Sequence, residues 1–135
     1  MNLDLEQIMI LLQRRYRAFQ EISRLTSELG EAVSRRDEVS ASLLLEMRAD
    51  EISVVDTCYR KIWDMAQAGP EAAYAIRQLI TSDPAAAPPS DSFEEQKIYE
   101  IRRKTTALIK EIQEKDRILN RRVGGERSFY AKTGK

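Results

Sequence analysis

The chain has 135 residues, 33% charged and 42% hydrophobic, with 22 basic side chains against 22 acidic ones and no histidine. That length fits one domain, and a net charge of zero argues against a dedicated nucleic-acid binder. Lack of histidine removes the commonest general base and metal ligand, and no apolar run reaches the roughly 18 residues of a membrane span.

Apolar residues recur at spacings of three and four in three stretches, the rhythm that lines one stripe of an α-helix. The first holds Leu5, Ile8, Leu12, Arg15, Phe19, Ile22, Thr26, Leu29 and Val33, widened by Met9 and Tyr16. It predicts a helix over about 3–35, capped by Asn2 or Asp4. Gly30 inside it costs up to about 1 kcal/mol relative to alanine and marks either fraying or a close helix approach. Arg35 and Arg36 suit the negative end of the helix dipole, and Asp37 suits the cap of the next element.

A second helix is predicted over 38–68. Its stripe contains Leu44, Met47, Val54, Cys58, Ile62 and Met65, with Leu43, Leu45, Val55 and Trp63 beside it. More than one apolar flank suits the central member of a bundle, contacted from two sides. Gly69-Pro70 stops this helix and opens a shorter one over 70–81, carrying Tyr74, Ile76, Leu79 and Ile80. Residues 83–92, with Pro84, Pro88 and Pro89, form a linker of extended character that reaches about 30 Å. That span lets the last helix return along the bundle or swap between subunits.

The last helix is predicted over 93–123. Its stripe is Ile98, Ile101, Thr105, Leu108, Ile112, Lys115 and Leu119, and Ser92 with Glu95 matches a capping box. Gly124-Gly125 reads as its stop, followed by a flexible basic tail over 124–135. The fold class is therefore all-α: an elongated antiparallel bundle of three long helices plus one short helix, in a single domain over 1–123.

Charge is unevenly placed. Residues 37–100 hold thirteen acidic and five basic side chains, whereas 101–135 hold eleven basic and four acidic. Either the helices pair through complementary flanks, or the basic end meets an acidic partner; a salt-dependent DNA affinity of this end would revive a nucleic-acid reading.

Little in the chain suggests chemistry. Cys58 is the only cysteine, which forbids an intrachain disulfide and points to a reducing compartment and a buried structural thiol. The basic residues near the start follow the apolar run rather than precede it, so no signal peptide is expected there and the protein is read as cytoplasmic. Glu46, Asp50 and Glu51 share a helical face but lack the histidine partners of a di-iron bundle. Gly124-Gly125 has neither the lysine nor the strand of a phosphate loop. No catalytic, cofactor-binding or metal-binding residue is assigned, no cofactor is expected, and the chain is not read as an enzyme.

Two features bear on binding. Arg15, Thr26, Thr105 and Lys115 interrupt the stripes of a strict coiled coil, either snorkelling at an edge or leaving a groove for another helix. Phe129 and Tyr130, flanked by Arg127 and Lys132, can anchor a partner or fold back on the bundle.

Four segments carry a resemblance. They are Leu5-Glu6-Gln7-Ile8 with Leu11-Leu12, the junction Glu31 to Val39, the run Leu44 to Ile52, and Ile109 to Asp116. Together they make the chain resemble the flagellar type III export chaperones of the FlgN family, with the neighbouring FliT-like filament-cap chaperones left open. The family's asparagine-rich run is reduced to Asn120, and Arg121 to Lys135 is unusually basic. The resemblance implies a cytoplasmic protein that binds an amphipathic terminal helix of a flagellar hook-associated protein, keeps it soluble and delivers it to the export gate. It implies partner-binding roles for Leu108, Ile112, Leu119, Val123, Phe129 and Tyr130. The competing reading is a non-catalytic coiled-coil scaffold or homodimeric adaptor.

Overall fold

The computed structural model describes the backbone of residues 3–133 and the side chains of residues 3–123. Among them are four α-helices and no strand: α1 Leu5–Ser34, α2 Glu38–Asp64, α3 Pro70–Thr81 and α4 Phe93–Thr133. Short 3-10 turns at Met65–Ala68 and Pro84–Ala86 flank α3. No helix among the described residues is long and apolar enough to cross a membrane.

Local chemistry sets the helix starts. Asp4 accepts from the Gln7 N–H at 2.9 Å and Asp37 from the Ser40 N–H at 3.0 Å, each relieving a free amide of the first turn. Hydrogen bonding to Ser40, its side chain first and its backbone second, holds the Asp37 carboxyl below the usual carboxylate range. At α4 only half of the capping box forms. Ser92 Oγ accepts from the Glu95 N–H at 3.2 Å, but Glu95 turns to the Ser90 hydroxyl, and the Ser92 N–H donates to Ser90 Oγ. Ser90 supplies what the glutamate would have supplied to the cap.

The turn between α1 and α2 is tight. The Asp37 N–H reaches back to the Ala32 carbonyl at 2.9 Å, closing a Schellman-type loop. Arg36 sits at its crest with φ 56°, a left-handed conformation that glycine normally supplies.

α1 and α2 are antiparallel. α4 is antiparallel to α2 but parallel to α1, since Lys115 meets Ser23 and Arg122 meets Gly30 and Ser34. The chain achieves this because α3 and the 83–92 segment stay at the end where α2 finishes. That segment is less extended than its prolines predict: Asp83 caps the turn at Pro84–Ala86, and Arg103 donates to the Pro84 carbonyl at 3.1 Å.

The core is thick at one end and thin along the rest. At the thick end Ile8, Leu11 and Leu12 of α1 meet Cys58 and Ile62 of α2, Ile76, Leu79 and Ile80 of α3, and Ile98, Tyr99 and Ile101 of α4. Cys58 is a free, buried thiol in that cluster. Above it Ala18, Ile22, Val55 and Ile112 form a smaller buried cluster, with Phe19, Val54 and Leu108 partly covering it, and Leu25, Leu29, Ala32 and Leu119 are buried further along.

Two expectations are corrected. The central helix is α1, not α2: ten residues of α1 are buried against three of α2. Of the second apolar flank of α2, Leu43 and Leu45 lie at the surface, whereas Val55 is buried and Trp63 packs half-buried on the core. Nor does Gly124-Gly125 stop the last helix, because α4 continues to Thr133. Glycine lowers helix propensity by about 1 kcal/mol without forbidding the helix, no proline follows, and Glu126, Arg127, Ala131 and Lys132 are tolerant helix formers.

Two substitutions test this packing. Arg36→Gly relieves the left-handed residue and is expected to raise stability by about 0.5–1 kcal/mol in urea unfolding. Ile112→Ala removes a side chain only 6% exposed and should cost about 2–4 kcal/mol, whereas Ile118→Ala, at a residue 41% exposed, should cost far less.

Candidate partner-binding surface

Among the described residues, five of the exposed large apolar side chains lie between Val39 and Ile52 of α2. Val39 is 83% exposed, Leu43 57% and Met47 39%. Their spacing of four places them in one row along the helix. Leu44, Arg48, Val55 and Cys58 follow a different row, turned towards the bundle, so the exposed row is left without a partner among the described residues. Leu45 and Ile52, also exposed and seven apart, lie on the far edge of α2. Beside Leu43 a shallow cleft of about 240 Å³ opens between α1 and α2, lined by Glu28, Glu31, Arg35, Ser40, Leu43 and Leu44. On α1 nearby, Arg24 bridges Glu21 and Glu28. Its hydrogen bonds keep the Glu21 carboxyl below the usual range.

The polar interruptions of the stripes are absorbed inside the chain. Thr26 and Thr105 are buried, and each hydroxyl donates to the carbonyl four residues earlier, Ile22 and Ile101, at 2.7 Å. Lys115 Nζ donates to Ser23 Oγ at 2.7 Å and to the Ser23 carbonyl at 3.2 Å. Arg15 lies between two rings, its guanidinium carbon 5.0 Å from the Phe19 centroid and 4.8 Å from that of Tyr59. Burial pushes this guanidinium down from its ordinary value, with Tyr59 opposing. Its Nε is buried without a hydrogen-bond partner. The stacked faces stand in for the lost hydration.

The basic end of the chain is used in the same way. Arg102 donates to the carbonyls of Leu79, at 2.9 Å, and Ser82, at 2.5 Å, where α3 leaves its last carbonyls unpaired. Arg122 reaches the last turns of α1 at Gly30 and Ser34. Arg102 and Arg122 therefore meet helix ends rather than the acidic flank of α2. The one ion pair joining α2 to α4 among the described residues has the opposite polarity: Arg48 of α2 grips both carboxylate oxygens of Asp116, at 2.7 and 2.9 Å.

The binding residues implied by the resemblance fall into three groups. Ile112 and Leu119 are buried, 6% and 9% exposed, and Leu108 packs half-buried on the thin core. Val123 is half-buried. The side chains of Phe129 and Tyr130 lie outside the described residues. Leu119 also borders a cleft of about 520 Å³ between α1 and α4, with Ile118, Lys115, Thr26, Gly30 and Ser34 along its walls. A cargo helix would thus reach Ile112 only if α4 left α1. Val39 and Leu43 were not singled out by their sequence pattern as partner-binding. Leu43 stands in the second apolar flank of α2 and Met47 in its main stripe, both of which read equally well as burial, and Val39 falls outside both.

Among the described residues no group of three histidine, cysteine, aspartate or glutamate side chains is placed to hold a metal. No family model, curated protein or solved structure matches the chain.

The α2–α4 clamp is open to a direct test. A double-mutant cycle on Arg48→Ala and Asp116→Ala should return a coupling of about 1 kcal/mol that shrinks in about 1 M salt. Coupling near zero would leave the two helices joined by apolar contact alone.

Proposed function

We propose that this protein is a non-catalytic helix-holding chaperone, of the kind its FlgN-like resemblance implies. It shields an amphipathic terminal helix of a flagellar hook-associated protein in the cytoplasm before export. The observation that carries this reading is the row Val39, Leu43 and Met47, apolar side chains at helical spacing that the described residues leave uncovered. An amphipathic helix laid along α2 would bury its own stripe against that row and need no other chemistry. The neighbouring cleft beside Leu44 would receive one larger side chain from it. Cargo contact through Leu108, Ile112 and Leu119 belongs to this proposal only in a second step, with α4 displaced. Phe129, Tyr130 and Val123 would then extend the contact, and the export gate would receive the loaded complex.

A variant carrying Val39→Asp and Leu43→Asp tests the reading, because both residues are exposed and should leave helicity unchanged. Titration with a synthetic terminal helix of a hook-associated protein should show binding weakened roughly tenfold or more. Unchanged binding, or sedimentation showing that this row instead pairs two copies of the chain, would favour the scaffold reading.

A further inference from the structure

A second groove lies on the outer seam of α1 and α4, near the thick end of the bundle. Its cavity is about 560 Å³, lined by Met9, Ile10, Gln13, Arg14, Arg17, Lys97, Ile101 and Lys104. Four of these eight residues are cationic and three are apolar. Arg14 and Arg17 stand on the α1 wall, while Lys97 and Lys104 stand on the α4 wall. Ile10, 41% exposed, supplies accessible apolar surface between them.

The cations are poorly compensated by the helices that carry them. The positions three and four residues from Arg14 are Ile10, Leu11, Arg17 and Ala18, none of them acidic. Arg17 has one acid in reach along its helix, Glu21, and Glu21 is held by Arg24. Arg14 and Arg17, three apart, repel one another. On the α4 wall one carboxylate, Glu100, serves both Lys97, at 3.4 Å, and Lys104, at 3.3 Å. These are exposed pairs, which hold their partners weakly.

We propose that this groove docks an acidic amphipathic helix of a partner protein. The walls are parallel helices, so the groove is a channel that admits a rod. Met9 to Arg17 spans about 12 Å, or roughly two helical turns at 1.5 Å per residue. A helix with carboxylates on both edges of a leucine stripe places acids against Arg14 and Arg17 on one side and Lys97 and Lys104 on the other. Its apolar stripe covers Met9 and Ile10. A flat anionic membrane meets only the rims of such a channel and leaves its apolar floor uncovered. The inference does not rest on the export-chaperone reading, which uses the distant row on α2.

The experiment measures fluorescence anisotropy of two designed helical peptides of equal length, one leucine–glutamate and one leucine–lysine, against the full chain. The acidic peptide should bind. Its affinity should fall roughly tenfold or more in the variant carrying Arg14→Glu and Arg17→Glu, whose exposed positions keep the helical circular dichroism. Affinity should also fall in Ile10→Ser and on raising salt from about 50 to about 300 mM. Arg127→Glu should leave it unchanged. The proposal is overturned if the Arg14/Arg17 variant binds as well as the parent, or if Arg127→Glu alone abolishes binding. It is equally overturned if the leucine–lysine peptide binds as tightly, or if phosphatidylglycerol vesicles bind through Arg14 and Arg17 while the acidic peptide does not.

Discussion

A helix can hold two neighbours only if it offers two faces that each exclude water, and in this molecule α1 alone does so. One face buries Leu25, Leu29 and Ala32, and another turns to α4 around Ser23, Thr26 and Gly30. Small and hydroxylated side chains on the α4 side let long lysine and arginine side chains cross from one backbone to the other. Every other contact follows from that arrangement. α2 needs only one buried flank, so Leu43 and Leu45 are left at the surface. α4 must lie parallel to α1, and this requires α3 and the proline segment to hold the chain at one end before it turns back.

The polar residues in the stripes show how a narrow bundle tolerates imperfect heptads. Threonine closes on its own helix, arginine stacks between rings, and lysine finds a serine and a carbonyl across the interface. Each arrangement supplies partners for a group that burial would otherwise leave bare, the Nε of Arg15 excepted. Apolar burial is concentrated where four helices meet. Above that point the bundle depends on a smaller cluster, on the buried Leu25, Leu29, Ala32 and Leu119, and on the Lys115 and Arg122 contacts and the Arg48–Asp116 clamp. A thin stalk with an uncovered apolar row is physically suited to accepting one more helix.

Much of this was legible in the residues. The 3/4 spacing located the helices, Gly69-Pro70 marked the break before α3, and Asp37 marked a cap, with Asp4 one of two candidates for the cap of α1, because each of these signals acts within a turn or two. What was not legible is which flank meets which helix. Leu43 and Leu45 read as evidence of a central helix because apolar character alone does not distinguish a covered face from a bare one. The central role of α1 was hidden behind Ala18, Ser23 and Thr26, residues whose small size permits contact but carries no hydrophobic signal. Gly124-Gly125 misled for a related reason: a weak preference read as a stop gives way when the flanking residues sustain the helix. The cationic groove was invisible because Arg14 and Lys97 are brought together only by the parallel packing.

The account stands on α4 lying parallel to α1 within its own chain. Spin labels at Ser34→Cys and Arg122→Cys, in a Cys58→Ala background, measure this by pulsed dipolar resonance. A separation of about 20 Å or less, unchanged when labelled protein is diluted with unlabelled protein, is the predicted result, since packed helices lie about 10 Å apart and the label arms add the remainder. A separation of about 45 Å, the length of α1, would mean antiparallel packing, and loss of the short distance on dilution would mean exchange of α4 between subunits; either would contradict it.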